Sequence, residues 1–320
     1  MEVSRLRNLV ESFGKLKIAV VGDLILDKYV FGRVNRISPE APVPILNVER
    51  EEYRAGGAAN VALNLKAIGV GEVALLGRIG ADSEGERLKQ ILTDEGIASY
   101  LIESGGVPTT LKTRLIGRAQ QLLRVDRESK KALEEGESKS LIAFLGEFKP
   151  NAVILSDYAK GVVNPALTEG LRKLNIPVFV DPRPKNTLLY TGFTCVTPNL
   201  KEFEGMTTLL GIKGKNFEEK AQRLRERLNL KRLVVTLSER GIALIEPSGV
   251  KYFPATAREV YDVTGAGDTV VATLCAGVSA GGDWESACEL ANIAAGIVVG
   301  KLGTAVPTLE EIFNHLKQGL

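Results

Sequence analysis

The chain of 320 residues is 44% hydrophobic and 25% charged, an ordinary globular make-up, long enough to bury a core without disulfides or structural metal. Its 41 basic and 39 acidic side chains leave a net charge of +2, interspersed rather than blocked, which excludes nucleic acid or an anionic membrane as a partner held by bulk charge. A single histidine, His315, argues against a Ser/His/Asp triad or a histidine metal centre, so chemistry must fall to carboxylates, lysines, arginines and backbone amides.

In chain order, Met1 to Val21 mixes acids and bases and lacks the apolar run of a signal peptide. Lys17 to Val21 reads as a buried strand, and Gly22-Asp-Leu-Ile-Leu-Asp27 ends it, putting Asp23 and Asp27 at its mouth. Tyr29 to Arg54 then alternates like a strand, with three prolines stiffening Arg36-Ile-Ser-Pro-Glu-Ala-Pro-Val-Pro44. The glycine turn Arg54-Ala-Gly-Gly-Ala-Ala-Asn60 opens a helix over 58–68; a strand at 73–76 and a helix at 84–93 follow. Thr109 to Arg127 alternates again, through Leu111, Thr113 and Leu115, then Leu122, Arg124 and Asp126. Further strands are predicted at 152–155, 178–180, 195–197 and 233–236, and further helices at 138–148, 165–174, 217–228, 269–280 and 284–299.

Near-continuous Val, Ile and Leu in the strands marks parallel strands covered on both faces. Their alternation with helices predicts an open, mostly parallel α/β sheet with helices on both faces, whose ligand crevice lies beyond the carboxyl ends of the strands. The segments 29–54 and 109–127 read as a small β-sheet lid on that body, and 1–320 as a single domain. The uncharged run Thr269 to Gly282 is broken by glycines and falls short of the ~18 apolar residues of a membrane span. Cys195, Cys275 and Cys288 show no CxxC spacing and read as buried free thiols, which suits a reducing cytoplasm.

Asp262-Val-Thr-Gly-Ala-Gly-Asp-Thr-Val270 carries the strongest local signal. Gly265, Ala266 and Gly267 let backbone N–H groups approach an anion at the start of a helix. Neither a Gly-x-Gly-x-x-Gly fingerprint nor a P-loop is present, since Val270 holds the sixth position. Asp268 would be out of place in a permanent phosphate cradle, but fits as the base for a hydroxyl proton when a phosphoryl group is only in transit. A carboxylate capping its own helix is the competing reading.

Other strand ends add weaker candidates. Gly56, Gly57 and Asn60 suit a sugar hydroxyl pair, as do Asp23 and Asp27, with turn chemistry as the alternative. Ser156-Asp-Tyr-Ala-Lys-Gly161 brings Asp157 and Lys160 to the same edge, Asp181-Pro-Arg-Pro-Lys185 brings Arg183 and Lys185, and Thr197-Pro-Asn-Leu-Lys-Glu202 offers Asn199 and Glu202. Thr236-Leu-Ser-Glu-Arg-Gly241 is a strand-to-strand turn whose backbone can meet a nucleotide. Each reads equally as a solvated charge or turn; their convergence on one edge is the argument.

Gly56-Gly57-x-x-Asn60 and Asp262-x-Thr-Gly-Ala-Gly-Asp268, in this order, together with Asn199-x-x-Glu202, resemble the signatures of the ribokinase-like (PfkB) carbohydrate kinases. The resemblance spans nearly the whole chain. It implies an α/β sheet with a β lid that mediates dimerisation, ATP as phosphoryl donor and Mg²⁺ as cofactor. It further implies Asp268 as base, Gly265, Ala266 and Gly267 as anion hole, and Asp27, Gly56, Gly57 and Asn60 as sugar ligands. Asn199, Glu202, Thr236, Ser238, Gly241 and Asn292 would serve the nucleotide, with Glu202 acting on Mg²⁺ indirectly. Asp262 and Thr264 match a loop that binds a monovalent cation such as K⁺ in some members.

Within the family, Arg36 to Pro44, Gln121 to Asp126, Leu155 to Gly161 and Val196 to Glu202 are similar to the branch acting on D-glycero-D-manno-heptose 7-phosphate. That branch makes the 1,7-bisphosphate for the lipopolysaccharide inner core. This implies Arg36, Arg124, Asp157 and Lys160 on the acceptor side, with the cations anchoring the existing phosphate. Other sugar or nucleoside kinases of the family, or a non-catalytic binding relative, are the alternatives. Many relatives carry a nucleotidyltransferase domain downstream, and this chain is expected to lack that adenylyl transfer step.

Overall fold

The structure is a computed structural model that describes residues 2–118, 120–256, 261–301 and 305–317. Helix α1 (Glu2–Glu11) leads into β1 (Lys17–Ile37), from which β2 (Pro44–Gly57) returns antiparallel. Then come α2 (Ala58–Ala67), β3 (Glu72–Gly80), α3 (Ser83–Asp94), β4 (Ala98–Ser104), β5 (Thr110–Gly117) and β6 (Gln120–Arg127). The second half runs α4 (Glu135–Phe148), β7 (Ala152–Ser156), α5 (Pro165–Lys173), β8 (Val178–Asp181), β9 (Cys195–Val196), α6 (Leu200–Leu209) and α7 (Phe217–Arg227). It closes with β10 (Arg232–Thr236), β11 (Ile242–Glu246), β12 (Gly249–Phe253), α8 (Ala266–Ser279), α9 (Trp284–Val299) and α10 (Leu309–Lys317).

The main sheet has the order β12-β11-β10-β9-β8-β7-β1-β3-β4. It is parallel from β4 to β10, with β11 and β12 added antiparallel at one edge. Apolar side chains on one face pack against α1, α2, α3, α8, α9 and α10; those on the other pack against α4, α5, α6 and α7. This double covering explains why the strands carry apolar residues at successive positions rather than alternately. The three cysteines are buried and free. Among the described residues, no helix is long and apolar enough to cross a membrane.

One expectation is corrected at the first strand. β1 does not end at Val21 but continues to Ile37, because Gly22 lets it pass β7: a Cβ there would lie 2.0 Å from the Ser156 carbonyl oxygen. The inner part of β1 pairs with β3 and β7, whereas its outer part pairs with β2 from Leu24 and with β5 from Ile25. The lid is therefore β2-β1-β5-β6, begins at Leu24 rather than Tyr29, and shares a strand with the body. Helices α1, α6 and α10 lie outside the predicted set, and α8 starts at Ala266 rather than Thr269. The small residues of that first turn show little helical periodicity, yet they are what brings the helix amides to the site.

Candidate active site

The first turn of α8 organises the site. Gly265, at φ 84°, occupies the left-handed region that glycine adopts without strain, and the helix begins directly after it. The Ala266 amide donates back to the Val263 carbonyl at 3.2 Å, and the amides after it in the first turn have no partner within the helix and present the positive end of its dipole. Gly265 and Gly267 line a cleft of about 160 Å³ with Tyr158, Asp181, Arg183, Thr197, Asn199, Glu202, Thr236 and Asp268. Apart from Gly265, Gly267 and Asp268 at the start of α8, these residues lie at or just beyond the carboxyl ends of β7, β8, β9 and β10, where the α/β pattern places a ligand crevice.

Asp268 is buried but does not cap its helix; that position belongs to Gly265. Its carboxylate instead accepts hydrogen bonds from Asn60 Nδ2 at 2.6 Å and the Tyr158 hydroxyl at 3.1 Å. Burial pushes its pKa up to about 6, against the stabilising donors Asn60 and Tyr158 and the nearby Arg183 guanidinium. A carboxylate so tuned is ionised at neutral pH yet basic enough to take a proton. Asn60 is tied through its backbone oxygen to Asn64 Nδ2, and Asn64 Oδ1 accepts from the Thr269 hydroxyl, so α2 and α8 hold the base between them.

Across the cleft, Asn199 and Glu202 cap α6 reciprocally: Asn199 Oδ1 accepts from the Glu202 amide at 2.9 Å and Glu202 Oε2 from the Asn199 amide at 3.0 Å. The other Glu202 oxygen pairs with Arg183. Burial raises the Glu202 pKa, and burial together with Asp268 and Glu202 holds the Asp181 carboxyl well above its usual value. Thr236 joins the cleft wall, while Ser238 and Gly241 stand in the turn beyond it. Asn292 Nδ2 donates to the Pro254 carbonyl and so latches the chain after β12.

On the sugar side expected from the sequence, Asp27 is buried and paired with Arg114. Gly56 lies against it, where a Cβ would come within 2.3 Å of Asp27 Oδ2. Gly57, at φ 60°, turns the chain into α2 and so aims Asn60 at Asp268. Asp23 proves to be a staple, accepting the backbone amides of Tyr158, Lys160 and Val162 at 2.8–3.0 Å and so fixing the loop that carries Tyr158.

The four acceptor-side residues differ in their surroundings. Asp157 spends its carboxylate inside the fold, on the Ala159 amide, Asn186 Nδ2 and the Tyr190 hydroxyl, and is not exposed to a ligand. Arg36 is exposed at the outer end of β1, nine residues beyond Asp27, on the order of 30 Å along an extended strand. Arg124 and Lys160 stand nearer but are already paired, with Asp126 and Glu128. Asp262 Oδ1 accepts the Thr264 amide at 2.9 Å in the turn before α8.

Sequence alone does not mark Tyr158, Asp181, Arg114 or Lys112, and it marks Arg183 only as a strand-end charge. For Tyr158 and Asp181 the available signal was position directly after a buried strand. Nothing local marks Arg114 or Lys112, which face the site only because β5 pairs with β1.

A family model described as pfkB family carbohydrate kinase matches residues 15–311. The D-beta-D-heptose 7-phosphate kinase of Bordetella bronchiseptica is 45% identical over 306 residues, covering 94% of this chain and 96% of that one. The Bifunctional protein HldE of Magnetococcus marinus is 45% identical over 316 residues, covering 95% of this chain; the chain spans 65% of that relative's length. Among solved structures, Thermotoga maritima ribokinase superposes with a TM-score of 0.77 at 23% identity, and Escherichia coli phosphofructokinase-2 with 0.78 at 19%. The first covers 94% of this chain and 99% of that one, and the second the same shares. With the family matched over residues 15–311 and the fold shared with those structures, the chain belongs to the pfkB family of ATP-dependent carbohydrate kinases.

Proposed function

We propose that the acceptor is D-glycero-D-manno-heptose 7-phosphate, phosphorylated by ATP on its C1 hydroxyl to the 1,7-bisphosphate, and that Asp268 is the base. The single observation that carries the assignment of the base is a buried carboxylate with a pKa near 6, held by two donors beside a helix N-terminus. The acceptor is supported by the named Bordetella relative at 45% identity over 94% of the chain. In this reading Asp268 receives the hydroxyl proton as the oxygen attacks the γ-phosphoryl group. The Gly265, Ala266 and Gly267 amides stabilise the charge that spreads over its oxygens. Asp27, Asn60 and the backbone at Gly56 and Gly57 orient the sugar, while Asn199, Glu202, Thr236 and the Ser238 to Gly241 turn face the nucleotide.

The oxygen donors Asp181, Asn199 and Glu202 on one cleft wall fit Mg²⁺, which keeps much of its water and enters with the donor phosphates. Such an ion would neutralise phosphate charge, with Glu202, held in its cap and by Arg183, acting on it indirectly. Asp262 and Thr264 are proposed for a monovalent cation beside the anion loop. Val48, Leu123 and Val125 are 51–57% exposed on the lid, an apolar display that supports a homodimer formed through it.

The test is an ADP-release assay over a panel of acceptors, followed by location of the new phosphate. Heptose 7-phosphate should be used with the highest kcat/KM and be phosphorylated at C1. Equal rates on ribose or plain heptose would overturn the acceptor assignment.

A further inference from the structure

Residues opposite one another on paired strands present side chains to the same face. By register, Asp27, Tyr29, Lys112, Arg114, Arg124 and Asp126 share one face of the lid. Its charges are almost all matched. Asp27 pairs with Arg114 and Asp126 with Arg124, and at the adjoining loop Glu128 pairs with Lys160. Lys112 is left over: it is half-buried and has neither an ion pair nor a hydrogen bond among the described residues. Burial holds its ammonium below the usual lysine value, and Arg124 and Lys160 push the same way, against the pull of Asp27 and Asp126. A partly desolvated cation held in no direct ion pair costs folding free energy, even with Asp27 and Asp126 on the neighbouring strands. A fold that retains one beside a reaction centre has a place for an anion.

The location narrows the anion. Lys112 Nζ lies 5.6 Å from the centre of the Tyr158 ring, and the hydroxyl of that tyrosine donates to Asp268. Arg183 stacks 4.5 Å from the same ring and belongs to the cleft with Asn199 and Glu202. Tyr158 therefore touches both a nucleotide-side guanidinium and an acceptor-side ammonium. A sugar whose reacting hydroxyl meets Asp268 can reach Lys112 with its far end. We propose that Lys112 binds the phosphate monoester that the acceptor carries before transfer, and so sets the preference for a phosphorylated sugar. This rests on the acceptor reading above. It moves the anchor from Arg36, which is remote, and from Arg124 and Lys160, whose charges are already satisfied. A phosphate dianion supplies what the ammonium lacks and relieves its repulsion with Arg124 and Lys160.

The experiment compares Lys112→Met and Lys112→Arg with the unaltered chain, measuring kcat/KM for heptose 7-phosphate and plain heptose, KM for ATP, and calorimetric binding of heptose 7-phosphate. In Lys112→Met, kcat/KM and affinity for the phosphorylated sugar should fall roughly 10- to 100-fold, the span of a lost charge-assisted contact. The rate on plain heptose and the KM for ATP should hold, and Lys112→Arg should retain most of the preference. Undiminished binding and turnover of heptose 7-phosphate by Lys112→Met would overturn the inference and leave the acceptor assignment standing. No preference for the phosphorylated sugar in the unaltered chain would instead remove the acceptor assignment, and the inference with it. A melting temperature for Lys112→Met at or above that of the unaltered chain is expected, and it separates lost recognition from lost folding.

Discussion

Along the ends of β7 to β10 the cleft is walled by side chains anchored in the main sheet, and its carboxylates are buried and pushed towards protonation. The lid is built from different material: β6 is exposed at every position, and its acids keep ordinary partners within the same small sheet. Burial makes the difference. In the cleft, desolvation tunes one group to exchange a proton near neutral pH. On the outer strand of the lid, charges stand in water and in ion pairs with close neighbours. The proposed function puts chemistry on the main body and recognition on the appended sheet, and β1 runs through both.

If that division is right, the largest effect should come from the cleft. Asp268→Asn preserves shape but removes proton acceptance, so kcat should fall by roughly 10² to 10⁴ with little change in ATP affinity; near-normal turnover would end the case for Asp268 as base. Gly267→Val comes next. A Cβ there meets nothing within 4 Å in the folded chain, so the fold should survive while the side chain enters the space reserved for the phosphoryl group. The expected loss in kcat is about 10² or more, the usual size for a missing oxyanion donor, with an unchanged melting temperature. Full activity would make the loop only a turn.

A smaller effect sharpens the electrostatic side of the comparison. Activity should rise with pH through about 6 as Asp268 ionises. The Tyr158 hydroxyl favours the ionised form, so Tyr158→Phe should shift the mid-point upward by roughly one unit. The variant should then be impaired most between pH 6 and 7 and recover by pH 8. A mid-point that stayed put, or moved down, would show that the tyrosine does not tune the base.

The smallest catalytic effect is expected from the lid exterior. Replacing Leu123 and Val125 by lysine puts charge on the exposed apolar display and should convert a dimer to a monomer in light scattering, with the Asp268 chemistry largely intact. A mass of one chain for the unaltered protein would refute the lid dimer outright.

Much of this was legible locally. The core strands announced themselves as short β-branched and leucine runs, the two glycine clusters marked where the backbone must turn sharply, and Asp268 stood out against its small neighbours. Such features depend on residues adjacent in the chain, through φ/ψ limits and side-chain period, so one dimension suffices to read them. Contacts between distant segments were decided otherwise. Asn60 meets Asp268 across 208 positions and Tyr158 meets it across 110. Whether an acid or a base is free or already paired depends on its neighbours to within an ångström or two. Asp157, Lys160 and Lys112 look alike as exposed charges in a string of letters; only packing shows the first consumed by Tyr190 and Asn186, the second by Glu128, and the third half-buried in no direct ion pair. Coulomb and hydrogen-bond energies fall too steeply with distance and solvation for sequence spacing to rank them.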